Sequence, residues 1–278
     1  EKGDLGAAIE SYKQAIKIKP DYAEAYHNLG NSLKENGGLD AAIESYNQAI
    51  EIRPDFAEAY SNLGVALGEK GDLDAAIESY KQAIKIRPDY AEAHNQKSFS
   101  HLSQMDFKSG WSEYEWRWNV QNFDSRPLSS FRPLWDGQIN KRVLLWPEQG
   151  IGDEIMFMSV AQELAAQCAR LIIKMDYRLI PLFRRSFGSS IDIVATNVCV
   201  DEEEYDFHIP MGSALKFFRN DECDFEKTSG GVLRANLEKV EEFKREMNIT
   251  PEKALIGLSW GSVNKKIGAR KSISLESL

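Results

Sequence analysis

Glu148, Gln149, Gly150, Gly152 and Asp153 concentrate carboxylate, amide and bare backbone in the stretch KRVLLWPEQGIGDEIMFMSVAQELAAQ, which begins at Lys141. The apolar run before them reads as a strand and the amphipathic run after them as a helix, so the loop falls where a strand ends and a helix begins. There Gly150 and Gly152 permit backbone angles closed to other residues, and Asp153 can cap the helix and favour its positive end. With Glu148 and Gln149 beside them they make a preorganised polar pocket. Ile155 stands where a dinucleotide-binding fingerprint would need its third glycine, and no Lys-Ser pair makes a phosphate loop. Asp153 therefore has two readings, a helix cap and a reactive carboxylate.

The flanking pattern says what must hold this loop. From Lys141 onward RVLLW, ARLIIKM, IDIVAT and EYDFHIPM read as strands. DEIMFMSVAQELAAQ, YRLIPLFRRSF and ANLEKVEEFKREM read as helices, and KALIGLSWG as a further buried strand. Such alternation indicates parallel βαβ units with helices covering both faces of the sheet, and in such sheets ligands sit at the C-terminal strand ends. His208, in EYDFHIPM, reads as a strand residue rather than an acid or base.

Upstream the chain repeats itself. AEAYHNLGNSLKENGGLDAAIESYNQAIEIRPDF from Ala23 is followed by AEAYSNLGVALGEKGDLDAAIESYKQAIKIRPDY from Ala57, and Pro20, Pro54 and Pro88 mark a period of 34 residues. Each unit holds two amphipathic runs with a Gly-containing turn between them, so each is a helical hairpin. Gly30 and Ala42 allow the two helices to approach, Tyr46 fills the space to the next hairpin, and Pro54 ends the second helix. Asn28, Asn62 and Gln96 recur at one repeat position on the first helix of each unit, where they are either aligned amides able to hold an extended peptide backbone or simply solvated polar residues. The register degrades after Ala91. Trp111, Tyr114, Trp116 and Trp118 then mark a capping hairpin whose aromatics seal an interface between modules, or else form a stacking platform for carbohydrate. The expected division is repeats with their cap over residues 1–124, a Pro-rich linker over 125–140, a lobe over 141–253 and the start of another over 254–278.

Composition narrows the classes. The 278 residues suffice for about two domains, and 34 Lys and Arg against 43 Asp and Glu give a formal net charge of -9. The acid excess lies mainly in the repeats, and no basic stripe is present for nucleic acid. Cys168, Cys199 and Cys223 are widely spaced, with neither the pairing of a disulfide framework nor metal-ligand spacing, which points to a reducing, cytoplasmic setting and no metal. Apolar runs stop well short of the 18 or so residues a membrane span needs.

The repeat residues Tyr26, Leu29, Gly30, Ala42, Tyr46, Ala49 and Pro54, with their counterparts Tyr60 to Pro88, resemble the tetratricopeptide repeat. The order of motifs that follows, FKSGWSEYEWRW, LLWPEQGIGDEIMF, YDFHIP, IGLSWGS and RKSISL, resembles a bacterial family. In it such repeats precede a glycosyltransferase domain similar to the ADP-heptose glycosyltransferases. That resemblance implies a helical-repeat solenoid followed by an α/β Rossmann-like parallel sheet, the first lobe of a two-lobed GT-B-type fold. It implies Asp153 as catalytic base for an acceptor hydroxyl and Glu148, Gln149, Gly150 and Gly152 as the acceptor pocket. It places Lys271, Ser259 and Trp260 against the donor, with Lys271 standing where the larger family often shows Arg. It also implies a nucleotide-sugar donor, used as a substrate with no further cofactor or obligatory metal. The asparagine positions are similar to the ladder of the O-GlcNAc transferase superhelix, which implies a protein or peptide in the repeat groove. The chain ends soon after one strand of the second lobe, so the expectation is a fragment of a longer transferase, inactive by itself. The rival readings are a non-catalytic adaptor whose α/β part is a stability platform and, less favoured by the incomplete fingerprints, a nucleotide-binding regulator.

Overall fold

The computed structural model describes residues 5–227 and 231–247, in two compact units, Glu1–Leu233 and Arg234–Leu278. In the second unit the described part is one helix, here α13 (Leu237–Glu246), whose first turn is capped by the Asn236 side chain. The lone-strand reading of KALIGLSWG lies outside the described residues.

The first unit opens with seven helices: α1 (Leu5–Ile18), α2 (Ala23–Glu35), α3 (Leu39–Ile52), α4 (Ala57–Lys70), α5 (Leu73–Ile86), α6 (Ala91–Ser103) and α7 (Phe107–Tyr114). Local chemistry sets their ends. Gly71 ends α4 at φ +93°, a left-handed conformation that costs glycine little, and Asp72 and Asp106 accept backbone N–H groups of Ala75 and Ser109 at 3.2 Å to start α5 and α7. Packing within a hairpin turns on one contact. A methyl group added to Gly30 would lie 2.6 Å from the Tyr46 ring, and one on Gly64 2.6 Å from the Tyr80 ring, so glycine is what lets each buried ring lie flat against the first helix. At the end of each hairpin the same contact closes the unit: Arg53 bonds Glu24 at 2.9 Å while its guanidinium lies 3.7 Å from the centre of the Phe56 ring. Arg87, Glu58 and Tyr90 repeat that arrangement at 2.8 and 3.6 Å.

The solenoid then meets a sheet. Four strands, β1 (Arg142–Trp146), β2 (Arg170–Met175), β3 (Asp192–Ala195) and β4 (Phe207–Pro210), are all parallel in the order β3-β2-β1-β4. The chain moves outward from β1 to β3 and returns to the other side of β1, so the order reverses between β1 and β4. On one face Val143, Leu145, Leu171, Ile173, Ile193 and Ile209 pack against α8 (Ile151–Phe157), α9 (Ala161–Gln167), α10 (Ile180–Phe187) and α11 (Met211–Phe218). A short α12 (Cys223–Glu226) follows. The expectation of helices on both faces is corrected here. Among the described residues the opposite face, Leu144 and Ile172, is covered by Leu128 of the linker and by Val200 and Tyr205 of the β3–β4 connection. That connection carries a 3-10 turn at Glu202–Glu204 and no α-helix.

Residues 125–140 are part of the lobe. Trp135 is buried in its core, Trp135 N–H donates to His208 O at 2.9 Å, and His208 N–H donates to Pro133 O at 3.1 Å, which adds a one-bridge strand alongside β4. The helix α11 departs from the sequence expectation, in which the strand EYDFHIPM runs through Met211. Pro210, lacking an N–H, closes that strand and is followed by the helix at once.

Candidate functional site

Among the described residues, polar side chains gather on the first helices of the repeats and at the C-terminal ends of β1 and β4. On the repeats, Asn62 of α4 donates from one amide nitrogen to His27 Nε2 at 2.8 Å and to Asn31 Oδ1 at 2.9 Å. Asn31 Oδ1 also accepts the Tyr46 hydroxyl at 2.8 Å, and the His27 ring lies 4.9 Å from that of Phe56. Because the amide donates to Nε2, that nitrogen is unprotonated, in keeping with burial lowering the His27 pKa. Gln96 borders a different setting, a cavity of about 350 Å³ shared with Val65, Tyr80 and Phe99. The three ladder positions recur in register but not in surroundings.

At the sheet edge the sequence expectation divides. Asp153 stands in the first turn of α8, half-buried, and its Oδ2 accepts the Gly150 N–H at 3.0 Å, so the capping reading describes what it does in this structure. The glycines are corrected. Gly150 has φ -113°, Gly152 is helical, and the left-handed residue of the loop is Gln149 at φ +61°. Gln149 is held there by its N–H donating to Ser125 Oγ at 2.6 Å and its side-chain amide donating to the Tyr114 hydroxyl. Burial pushes the Tyr114 phenol up to about 12. Next to Asp153, the buried Glu154 accepts the Asp176 N–H at 2.9 Å, which ties the first turn of α8 to the end of β2, and burial raises its pKa.

Glu148 is the larger correction. Its side chain has no exposure, and it faces the repeat cap instead of an acceptor pocket. Arg117, in the 3-10 turn Glu115–Asn119 after α7, donates from Nε to Glu148 Oε2 at 2.6 Å and from Nη2 to Oε1 at 2.8 Å. Gly212 N–H donates to the same Oε1 at 2.7 Å. The remaining guanidinium hydrogens reach Ser213 Oγ at 2.8 Å, Tyr114 O at 3.0 Å and Glu115 at 3.1 Å. A cation from the repeat cap thus fills the crevice between the ends of β1 and β4, the place where ligands sit in open parallel sheets. Arg117 and Ser213 were missed by sequence reasoning; the available signal was one Arg between Trp116 and Trp118.

The aromatic cluster seals modules, as expected. Trp111 and Tyr114 belong to the same core as Val143, Leu145 and Met211, and Trp111 Nε1 donates to Arg219 O at 2.7 Å. Trp116 stacks on His94 at 3.9 Å. His208 lies in β4, accepting from Trp146 Nε1 at 3.0 Å, with its pKa lowered by burial. Lys271, Ser259 and Trp260 lie outside the described residues. Cys168, Cys199 and Cys223 are free, and among the described residues no group of three or more His, Cys, Asp or Glu could hold a metal. No helix of the described residues is long and apolar enough to cross a membrane.

Comparison with known proteins agrees with the first part of this description. Family models of the TPR repeat match residues 1–37 and 30–71, and one of the tetratricopeptide repeat matches 57–90. The chain is 25% identical over 181 residues to Protein FlbA of Caulobacter vibrioides, an alignment covering 59% of this chain and 30% of that protein. It therefore spans less than a third of that relative's length. Among solved structures, the MamA protein is 28% identical with a TM-score of 0.39, covering 40% of this chain and 61% of that one. The first TPR of Spaghetti (RPAP3), solved bound to an HSP90 peptide, is 20% identical with a TM-score of 0.36, covering 37% and 82%. Residues 1–90 of this chain are tetratricopeptide repeats, followed by a small parallel sheet of four strands.

Proposed function

We propose that this chain is a protein-binding adaptor whose repeats hold an extended peptide while the α/β lobe anchors one end of the solenoid. The observation that carries this reading is the fixed polar network that joins the first helices of neighbouring repeats. His27 and Asn31 orient the Asn62 amide before any partner arrives, so a bound backbone would lose little freedom in ordering it. Asn28 and Gln96 extend the same row. The setting we infer is cytoplasmic. Peptides selected on the chain from a displayed random library test the reading: they should compete for one site, weaken on Asn62→Ala and be indifferent to Asp153→Asn. Selected peptides that ignore Asn62→Ala would refute the groove assignment.

A second reading keeps the lobe as the acceptor half of a Rossmann-like, two-lobed GT-B glycosyltransferase that uses a nucleotide sugar. The reversal of strand order beside β1, with the Asp153 carboxylate in the turn that follows it, favours this reading. Asp153 would then take the acceptor's proton, and Lys271, with Ser259 and Trp260, would face the donor. Glu148 drops out of that pocket because Arg117 holds it. Turnover by the whole protein that survives Asp153→Asn would remove the base.

A further inference from the structure

Beyond the peptide groove, a second cavity lies where the repeat cap, the linker and the lobe meet. It has a volume of about 300 Å³, and its walls include the indoles of Trp118, Trp135 and Trp146 with Pro210. The cap, the linker and β1 contribute one indole each, so no element alone could have built it.

The chemistry of the lining narrows the ligand. Trp135 Nε1–H is already donated to Gln138 O at 2.8 Å, and Trp146 Nε1–H to His208 Nδ1 at 3.0 Å. These rings therefore offer carbon surface and π-faces, not hydrogen bonds. Trp118 lies 5.4 Å from Trp146 at 45°, a spacing and tilt that leave room beside the pair for another flat ring in offset or edge contact. The polar lining residues are Glu115, His208, Ser213 and Lys216, and of these Lys216 is the cation. Its ammonium carries three hydrogens, and Glu115 Oε2, 3.1 Å away, takes one. Glu115 is shared with Arg117, which bonds its other oxygen at 3.1 Å. Arg117 itself is sealed by Glu148, so Lys216, about one-third exposed, is the cation that can turn toward an incoming group.

We propose that this cavity binds a small aromatic carboxylate, its ring against the three indoles and its carboxylate on the Lys216 ammonium. Volume and lining match the lower end of small-molecule sites, which are mostly apolar with a few placed polar groups. The site shares Glu115 and Ser213 with the Arg117 network, so an occupant would sit beside the strut that joins cap to lobe.

The test uses the 278-residue chain and three probes: 2-naphthoate, 2-naphthalenemethanol and cyclohexanecarboxylate. Titration is followed by calorimetry and by the indole N–H signals in ¹H–¹⁵N spectra. We expect 2-naphthoate to bind saturably and to shift the signals of Trp118, Trp135 and Trp146 while leaving Trp116 in place. Lys216→Met should weaken 2-naphthoate about tenfold and leave the alcohol within about twofold, since it removes a charge-assisted contact and no wall. Leu134→Asp, at the exposed rim, should weaken 2-naphthoate with the fold intact. The proposal is overturned if 2-naphthoate fails to saturate, if cyclohexanecarboxylate binds as tightly, or if Lys216→Met leaves 2-naphthoate affinity unchanged.

Discussion

Replacing Glu148 with Gln tests whether the buried pair joins the modules energetically as well as geometrically. The carboxylate accepts from Arg117 Nε at 2.6 Å, from Arg117 Nη2 at 2.8 Å and from Gly212 N–H at 2.7 Å, with neither charged side chain more than 1% exposed. An amide of the same shape keeps one acceptor, turns two donors toward a donor-only guanidinium and leaves the positive charge of Arg117 buried with Glu115 as its remaining anion. Breaking a buried pair from one side costs about 3–5 kcal/mol, and hydrogen bonds to charged groups account for about 1.5–3 kcal/mol each. With about 3 kcal/mol per molar as the urea slope, the unfolding midpoint should fall by about 1–2 M. Circular dichroism reports the helices and tryptophan fluorescence the junction, where Trp111 and Trp118 sit, and both should shift together. The double variant Arg117→Met/Glu148→Met removes both charges and should recover to within about 1 kcal/mol of the parent or exceed it. A loss below about 1 kcal/mol for Glu148→Gln, or a double variant no better than the single, would refute the account.

Gly64→Ala should gain about 1 kcal/mol of helix propensity but drive a methyl into the buried Tyr80 ring at 2.6 Å, for a net loss of about 1–2 kcal/mol in thermal unfolding; a stabilised variant would show that the ring can move aside. Asp153→Ala should lose about 1 kcal/mol, because the Gly150 N–H loses its acceptor at the start of α8, and urea unfolding reads this directly. Burial holds the His27 and His208 pKa values below their ordinary 6.5. As pH falls through that value the unfolded chain takes up protons the folded chain refuses, so stability present above 6.5 is lost on acidification toward the folded values. His27→Gln should flatten the midpoint-against-pH curve below about 6.5, and a curve unchanged by it would remove His27 from the explanation. Glu154 works oppositely at lower pH, since its raised carboxyl takes a proton first in the folded chain.

The repeats were legible because their physics is local and periodic. Glycine facing a tyrosine sixteen residues on, small residues at helical spacing and a proline after each second helix are read from the chain directly. The four strands were legible for the same reason, as short apolar runs between amphipathic ones. The candidate site was less so. Glu148 was assigned to a pocket because its neighbours in sequence suggested one. Its actual partners, Arg117 and Gly212, stand 31 and 64 positions away, and no periodicity reports a contact of that kind. Gln149, not a glycine, takes the left-handed angle, because Ser125 and Tyr114 from earlier elements hold it there. Trp135 looked like linker, and pairing with β4 made it core.

The fused end of the solenoid also says where the array can change length. Arg53 with Glu24 and Phe56, and Arg87 with Glu58 and Tyr90, close their own units in the same way, and the bond from Lys70 to Asp40 in the preceding unit is repeated by Gln104 to Asp74, so a 34-residue copy inserted after Pro54 would find the same partners on both sides. After α6 the contacts are unique: a Cβ at Gly110 would lie 2.5 Å from Leu102, and beyond it Trp111 and Arg117 are committed to the lobe. Duplication and deletion of repeats, in evolution or by design, are thus confined to the side away from the sheet. The groove can be lengthened or shortened there as a ruler is cut, while the junction keeps one geometry.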